Sequence, residues 1–166
     1  MIASLFRERF DADGRIVSLV NNPKTIQEHP LASITSLREA LAEVGATMNV
    51  DEDVLVLYVT SHGSDNHELA VDFRPLRLDP ITPKTLKSAL DDSGARWKIV
   101  VISACYSGGF VEAIKDDRTM IVTAASAERQ SVGCGYASDA TYLGRALFGE
   151  ALRETFSFVA AANGAP

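Results

Sequence analysis

VVISACYSGGF, residues 100–110, passes from unbroken apolar sequence to a single cysteine and then to two adjacent glycines. Ile99, Val100, Val101 and Ile102 do not alternate with polar residues, which predicts a strand covered on both faces. Ser107, Gly108 and Gly109 break that run, and Phe110, Val111, Ala113 and Ile114 resume at helical spacing. Cys105 is therefore expected at the carboxyl end of a strand, beside the start of a helix. Open α/β sheets bind ligands and carry out chemistry at that edge.

The flanking sequence repeats the pattern. RIVSLVNNP (15–23) reads as a short strand closed by an Asn-Pro turn. SITSLREALAEVGA (33–46) predicts a helix with Ile34, Leu37, Leu41 and Val44 on one face, a Ser or Thr cap and a stop near Gly45. DVLVLYVTSHGS (53–64) holds a second buried strand, Val54 to Val59, and ELAVDF (68–73) reads as a short strand returning after the loop. TPKTLKSALDDSG (82–94) is a helix with Pro83 in its first turn and Gly94 at its stop. TMIVTAAS (119–126) supplies another strand. DATYLGRALFGEALRE (139–154) is a closing amphipathic helix offering Leu143, Ala146, Leu147 and Leu152 to the core. MIASLFRERF (1–10) reads as helix, and AANGAP (161–166) as a frayed tail. Strands alternating with helices call for an α/β fold: a parallel sheet with right-handed crossovers and helices on both faces.

Bulk properties exclude several functions. A chain of 166 residues fits one domain with a sizeable core. Its net charge is -6, and its 16 basic residues are scattered, which leaves no footprint for nucleic acid. Two cysteines, Cys105 and Cys134, cannot build a disulfide framework. No apolar run has membrane-span length, and Met1 to Arg15 is too charged for a signal peptide. The compartment and the oligomeric state are not fixed by these features.

His62 ends one apolar run and Cys105 another, each with glycine close behind. Parallel strands bring such positions to the same sheet edge. A cysteine thiolate is a nucleophile and imidazole can take or return a proton, while nearby backbone N–H groups can hold an oxyanion. Gly63 and Gly109 are expected to leave room for a substrate. The residues alone leave a second reading open, with Cys105 a small buried hydrophobe, His62 a solvated loop residue and the glycines a tight turn. His62, Asp65 and His67 lack further ligands at metal-site spacing, so no metal is expected. His29 precedes Pro30 in a loop and needs no function, and Cys134 in SVGCGYAS reads as a bystander. YSGG lacks the lysine that a phosphate loop would carry.

These motifs resemble the legumain-like cysteine peptidases, relatives of the caspases that include the GPI-anchor transamidase. LYVTSHGS resembles the family's His-Gly strand, VVISACYSGGF its Ala-Cys-x-Ser-Gly signature, and TAASAERQSVGCGYASDATYLG its substrate-loop segment. The likeness runs from Asp53 to about Gly144, and Cys-x-Ser-Gly-Gly-Phe is closest to the bacterial branch. The resemblance implies a caspase-like α/β/α sandwich with a mainly parallel six-stranded sheet and no metal or organic cofactor. It implies His62 as general acid or base, Cys105 as nucleophile, and the N–H groups of Gly63 and Cys105 as the oxyanion hole. The partner implied is a peptide or protein substrate. The same acyl-enzyme could serve transpeptidation, and a non-catalytic binding or scaffold module is the alternative class.

Three departures modify that picture. Ser103 stands where legumains carry an acidic residue that recognises asparagine, and Arg145 stands where they carry another, so asparaginyl specificity is expected to be lost. Ser103, Ser131 and Arg145 are the candidate substrate-binding residues; Arg145 either faces the pocket, favouring an acidic or carbonyl-bearing side chain, or sits on a solvated helix face. Finally, the family's first strand should precede the helix near Leu5 and no such strand is read there, which points to a fragment of a longer chain with an exposed sheet edge.

Overall fold

The computed structural model describes residues 1–131 and 140–164. In chain order its elements are α1 (Ile2–Arg9), α2 (Ile34–Thr47), β1 (Val54–Thr60), α3 (Pro83–Asp92), β2 (Trp97–Ser103), a 3₁₀ turn (Ser107–Phe110), α4 (Val111–Ile114) and β3 (Thr119–Thr123). After the segment outside the described residues come α5 (Tyr142–Gly144), a π-helical stretch (Arg145–Ala151), α6 (Leu152–Glu154) and α7 (Phe158–Gly164). Two compact units result: a larger one, Val17–Gln130, and a smaller one made of Met1–Ile16 with the described part of Ser131–Pro166.

In the larger unit the strands form a parallel sheet in the order β1-β2-β3. The register aligns Leu57 with Val100 and Val100 with Ile121, so Leu55, Leu57, Val59, Val100, Ile102 and Ile121 share one face. Leu37 and Leu41 of α2, Leu86, Ala89 and Leu90 of α3, and Ile114 of α4 join that face in one core. Each fully buried aliphatic side chain there contributes about 1.5–3 kcal/mol. Val101 and Ser103, on the opposite row of β2, are buried as well. Burial on both rows is why the strand reads as an unbroken apolar run.

Local chemistry fixes the helix starts. Ser33 Oγ accepts from Ser36 N–H at 3.1 Å, capping α2. Thr82 and Thr85 form a capping box at α3, with Pro83 in the first turn, where its missing N–H costs nothing. Gly94, with φ +69°, follows the helix in the left-handed conformation expected of its stop.

Several expectations are corrected. The helix from Ser33 does not stop near Gly45 but runs to Thr47; Gly45 lies inside it, where a Cβ would collide with the Ser93 carbonyl. RIVSLV forms no strand: Val20 N–H bonds the Pro30 carbonyl, and the Asn21 amide clasps both backbone groups of Ala32 at 2.8 and 3.0 Å. A side chain thus takes the place of a strand partner. ELAVDF returns only as isolated bridges, Leu69 pairing with both Gly63 and Ile81. The implied sheet of six strands is three strands among the described residues.

In the smaller unit the closing helix is interrupted by a π-helical turn, which buries three successive residues, Ala146, Leu147 and Phe148. Phe148 replaces the expected Leu143, which is half-buried. Phe6, Phe10, Phe148, Phe156 and Phe158 cluster with ring centroids 5.1–6.3 Å apart. The tail is not frayed up to Gly164, because Phe158 and Ala161 are buried and anchor α7.

Candidate active site

The last paired residues of β1 and β2 are Thr60 and Ser103. His62 and Cys105 each lie two residues further along, just past the paired ends of the strands. The ladder closes with Ser61 N–H donating to the Ser103 carbonyl at 3.4 Å. Beyond it, Gly63 packs against the Cys105 main chain so closely that a Cβ would overlap the Cys105 carbonyl oxygen. Strand register therefore brings the His-Gly and Cys segments into direct backbone contact.

A hairpin holds the histidine side. Ala70 N–H donates to the His62 carbonyl at 2.9 Å, Ser61 Oγ donates to the Ala70 carbonyl at 2.5 Å, and Ser64 N–H donates to the Glu68 carbonyl at 3.0 Å. Backbone groups alternate sides along an extended segment, so with Ser64 bonded to the hairpin and Ser61 to β2, the Gly63 N–H faces the Cys105 side. His62 is exposed and Cys105 half-buried. A cleft of about 290 Å³ opens beside His62, lined by Gly63, Ser64, Glu68, Ala70 and Pro80.

The cysteine side is a fixed turn. Tyr106 adopts the left-handed conformation, φ 55° and ψ 19°, which costs a non-glycine residue about 1 kcal/mol or more. Three bonds hold it there. Tyr106 N–H donates to the Arg129 carbonyl at 2.8 Å, Gly109 N–H donates to the Tyr106 carbonyl at 3.1 Å, and His67 Nδ1 lies 3.2 Å from the same carbonyl. A carbonyl only accepts, so the His67 proton belongs on Nδ1. The fully buried Ser107 accepts from Ala125 N–H at 3.2 Å, and Gly108 N–H donates to the Ala125 carbonyl at 2.9 Å.

The two glycines have separate causes. A Cβ on Gly108 would sit 2.5 Å from Ala127 N, and one on Gly109 would overlap the His67 ring. The expectation that Gly63 and Gly109 leave room for a substrate is thus corrected: the Cys105 main chain and the His67 ring fill those spaces. His67, weighed in the sequence only as half of a metal pair, packs on the cysteine turn. Among the described residues no three His, Cys, Asp or Glu side chains converge on a metal position.

Ser103 is 1% exposed at the end of β2, in the same unit as His62 and Cys105. Ser131, half-buried, and Arg145, exposed at the start of the π-helical stretch, belong to the smaller unit. Cys134 lies outside the described residues. Sequence reading missed His67 and Ser107, whose partners are distant in the chain. Ser107 in Cys-x-Ser-Gly was the one available signal.

An α/β/α protein with histidine and cysteine segments joined at the carboxyl edge of a parallel sheet belongs to the caspase-like class. A family model describing the Peptidase C13 family matches residues 25–160, and the chain belongs to that family, whose members are cysteine peptidases. No curated protein matches the chain significantly. No helix among the described residues is long and apolar enough to cross a membrane.

Proposed function

We propose that the protein is a cysteine endopeptidase in which Cys105 and His62 form the catalytic dyad. The observation that carries this reading is the backbone contact of Gly63 with Cys105, which joins the two segments at one edge. Cys105 Sγ attacks the scissile carbonyl carbon, its proton passing to the His62 imidazole. The resulting oxyanion is held by the N–H groups of Gly63 and Cys105. Collapse breaks the C–N bond, and His62 returns the proton to the departing amine. Water, deprotonated by His62, then attacks the thioester, releasing the acid and the thiol. An amine in place of water would give transpeptidation through the same acyl-enzyme.

Ser103 and Arg145 stand where legumains carry carboxylates that would bind the asparagine amide, so asparagine is not the preferred residue at the cleavage site. The test is intact mass after incubation with peptidyl acyloxymethyl ketones that vary the residue beside the warhead. Labelling of Cys105 is expected in the wild type, absent in Cys105→Ala and slowed roughly 100-fold or more in His62→Ala. Efficient labelling by the asparaginyl probe would overturn the specificity. No labelling by any probe would favour a binding module without catalysis.

A further inference from the structure

We propose that His67 is a positioning residue for Cys105, holding the nucleophile's turn in its reactive geometry. The inference rests on the dyad reading above. The His67 ring touches the turn at two points: Nδ1 at the Tyr106 carbonyl, one residue after Cys105, and the ring face at the Cα of Gly109. His67 itself sits at φ 59°, and Tyr106 at φ 55°, so two non-glycine residues are held left-handed where the segments meet. Such strain persists only where the surroundings over-determine it.

The same hairpin carries both histidines. His67 N–H donates to the Ser64 carbonyl at 3.0 Å, and Ser64 follows directly on His62-Gly63. One short segment, Ser61 to Ala70, thus supplies the acid–base imidazole at one end and the clamp on the thiol's turn at the other. The clamp fixes the separation of the reacting groups through rigid backbone rather than through flexible side chains. Without it, Tyr106 loses one acceptor bond and the pressure that keeps its left-handed conformation. Displacement of Cys105 by about 1 Å is enough to cost roughly 100-fold in rate.

Asparagine and aspartate separate this role from simple packing. They are alike in size and both tolerate positive φ, but only the amide can donate to the Tyr106 carbonyl. Wild type, His67→Asn, His67→Asp and His62→Ala are compared by the rate of Cys105 labelling with the best acyloxymethyl ketone. Peptide kcat and KM, the urea midpoint, and hydrogen exchange at the Tyr106 and Gly109 amides are measured alongside. His67→Asn is expected to label within about threefold of wild type. His67→Asp is expected to fall roughly 10- to 100-fold in labelling and kcat, with KM nearly unchanged, a urea midpoint matching His67→Asn, and faster exchange confined to the turn.

Equal rates for the Asn and Asp variants, or losses that track the urea midpoint, would overturn the proposal. Wild type that fails to label, or labels as fast as His62→Ala, would instead sink the dyad and with it any catalytic role for His67. The exchange data distinguish the two failures, since they report the clamp whether or not Cys105 reacts.

Discussion

Gly63 has an ordinary backbone conformation, so its requirement for glycine comes from space. Its Cα faces the Cys105 carbonyl at a distance that admits only hydrogen. Backbone cannot move aside as a flexible side chain can, so Gly63→Ala forces β1 and β2 apart where their ends meet. Overpacking of this kind costs roughly 1–3 kcal/mol. The effect on function is expected to be larger, because the displaced atoms are those of the nucleophile's own residue and of the proposed oxyanion donor. Gly63→Ala should lower the urea midpoint modestly and slow Cys105 labelling roughly 100-fold. A variant that labelled at the wild-type rate would show that the contact does not set the geometry of the site. His62-Gly63 was legible as a motif from its place after an apolar run, but the reason for the glycine was not. It depends on register, and register is a property of two strands together.

At the scale of elements, Gly45 shows the same physics in a helix. Replacing an interior helical glycine with alanine ordinarily stabilises by about 1 kcal/mol through backbone entropy. Here the added methyl group would meet the Ser93 carbonyl, at the turn that ends α3, itself tied down by Ser93 Oγ donating to the Leu90 carbonyl at 2.6 Å. Steric cost of roughly 1–3 kcal/mol outweighs the propensity gain, so Gly45→Ala is expected to destabilise. Thermal unfolding checks the sign, and a rise in the midpoint would mean that α2 slides freely over Ser93. The sequence marked Gly45 as a stop because glycine punctuates helices, yet Val44, Thr47 and the Met48 N–H bonded to the Val44 carbonyl carry the helix past it. Strand β2 was legible because burial on both rows leaves continuous Val and Ile, and the half-buried β1 and β3 carry similar β-branched runs. RIVSLV has similar composition, but no strand pairs with it among the described residues, and Val17 is 55% exposed. Composition records the tendency to pair, and the partner decides the outcome.

For the whole molecule, what the sequence could not show is which charges matter. Most ion pairs, such as Arg15 with Asp11 and Arg74 with Asp72, are well exposed and contribute little. Lys98 differs. It lies in the middle strand with its side chain only 10% exposed, donates to the Ala95 carbonyl at 3.1 Å and reaches Asp116 at 3.4 Å. Burial pushes the Asp116 carboxyl up, but hydrogen bonds from Thr119 Oγ1 and the Arg118 N–H, together with the Lys98 ammonium, outweigh it and hold the group below its ordinary value. A carboxyl that ionises more readily folded than unfolded stabilises the fold fully above the unfolded value, about 3.9, and loses that contribution as pH falls through the folded one. Asp116 remains 40% exposed, so solvent screening limits its contribution to about 1 kcal/mol or less. Asp116→Asn should therefore lower stability at pH 7 by that small amount, and the difference from wild type should shrink below about pH 4. Urea unfolding at a series of pH values measures it. A gap between the two proteins that stayed constant down to pH 3 would mean that Asp116 acts through its hydrogen bonds alone, with no contribution from its charge beside Lys98.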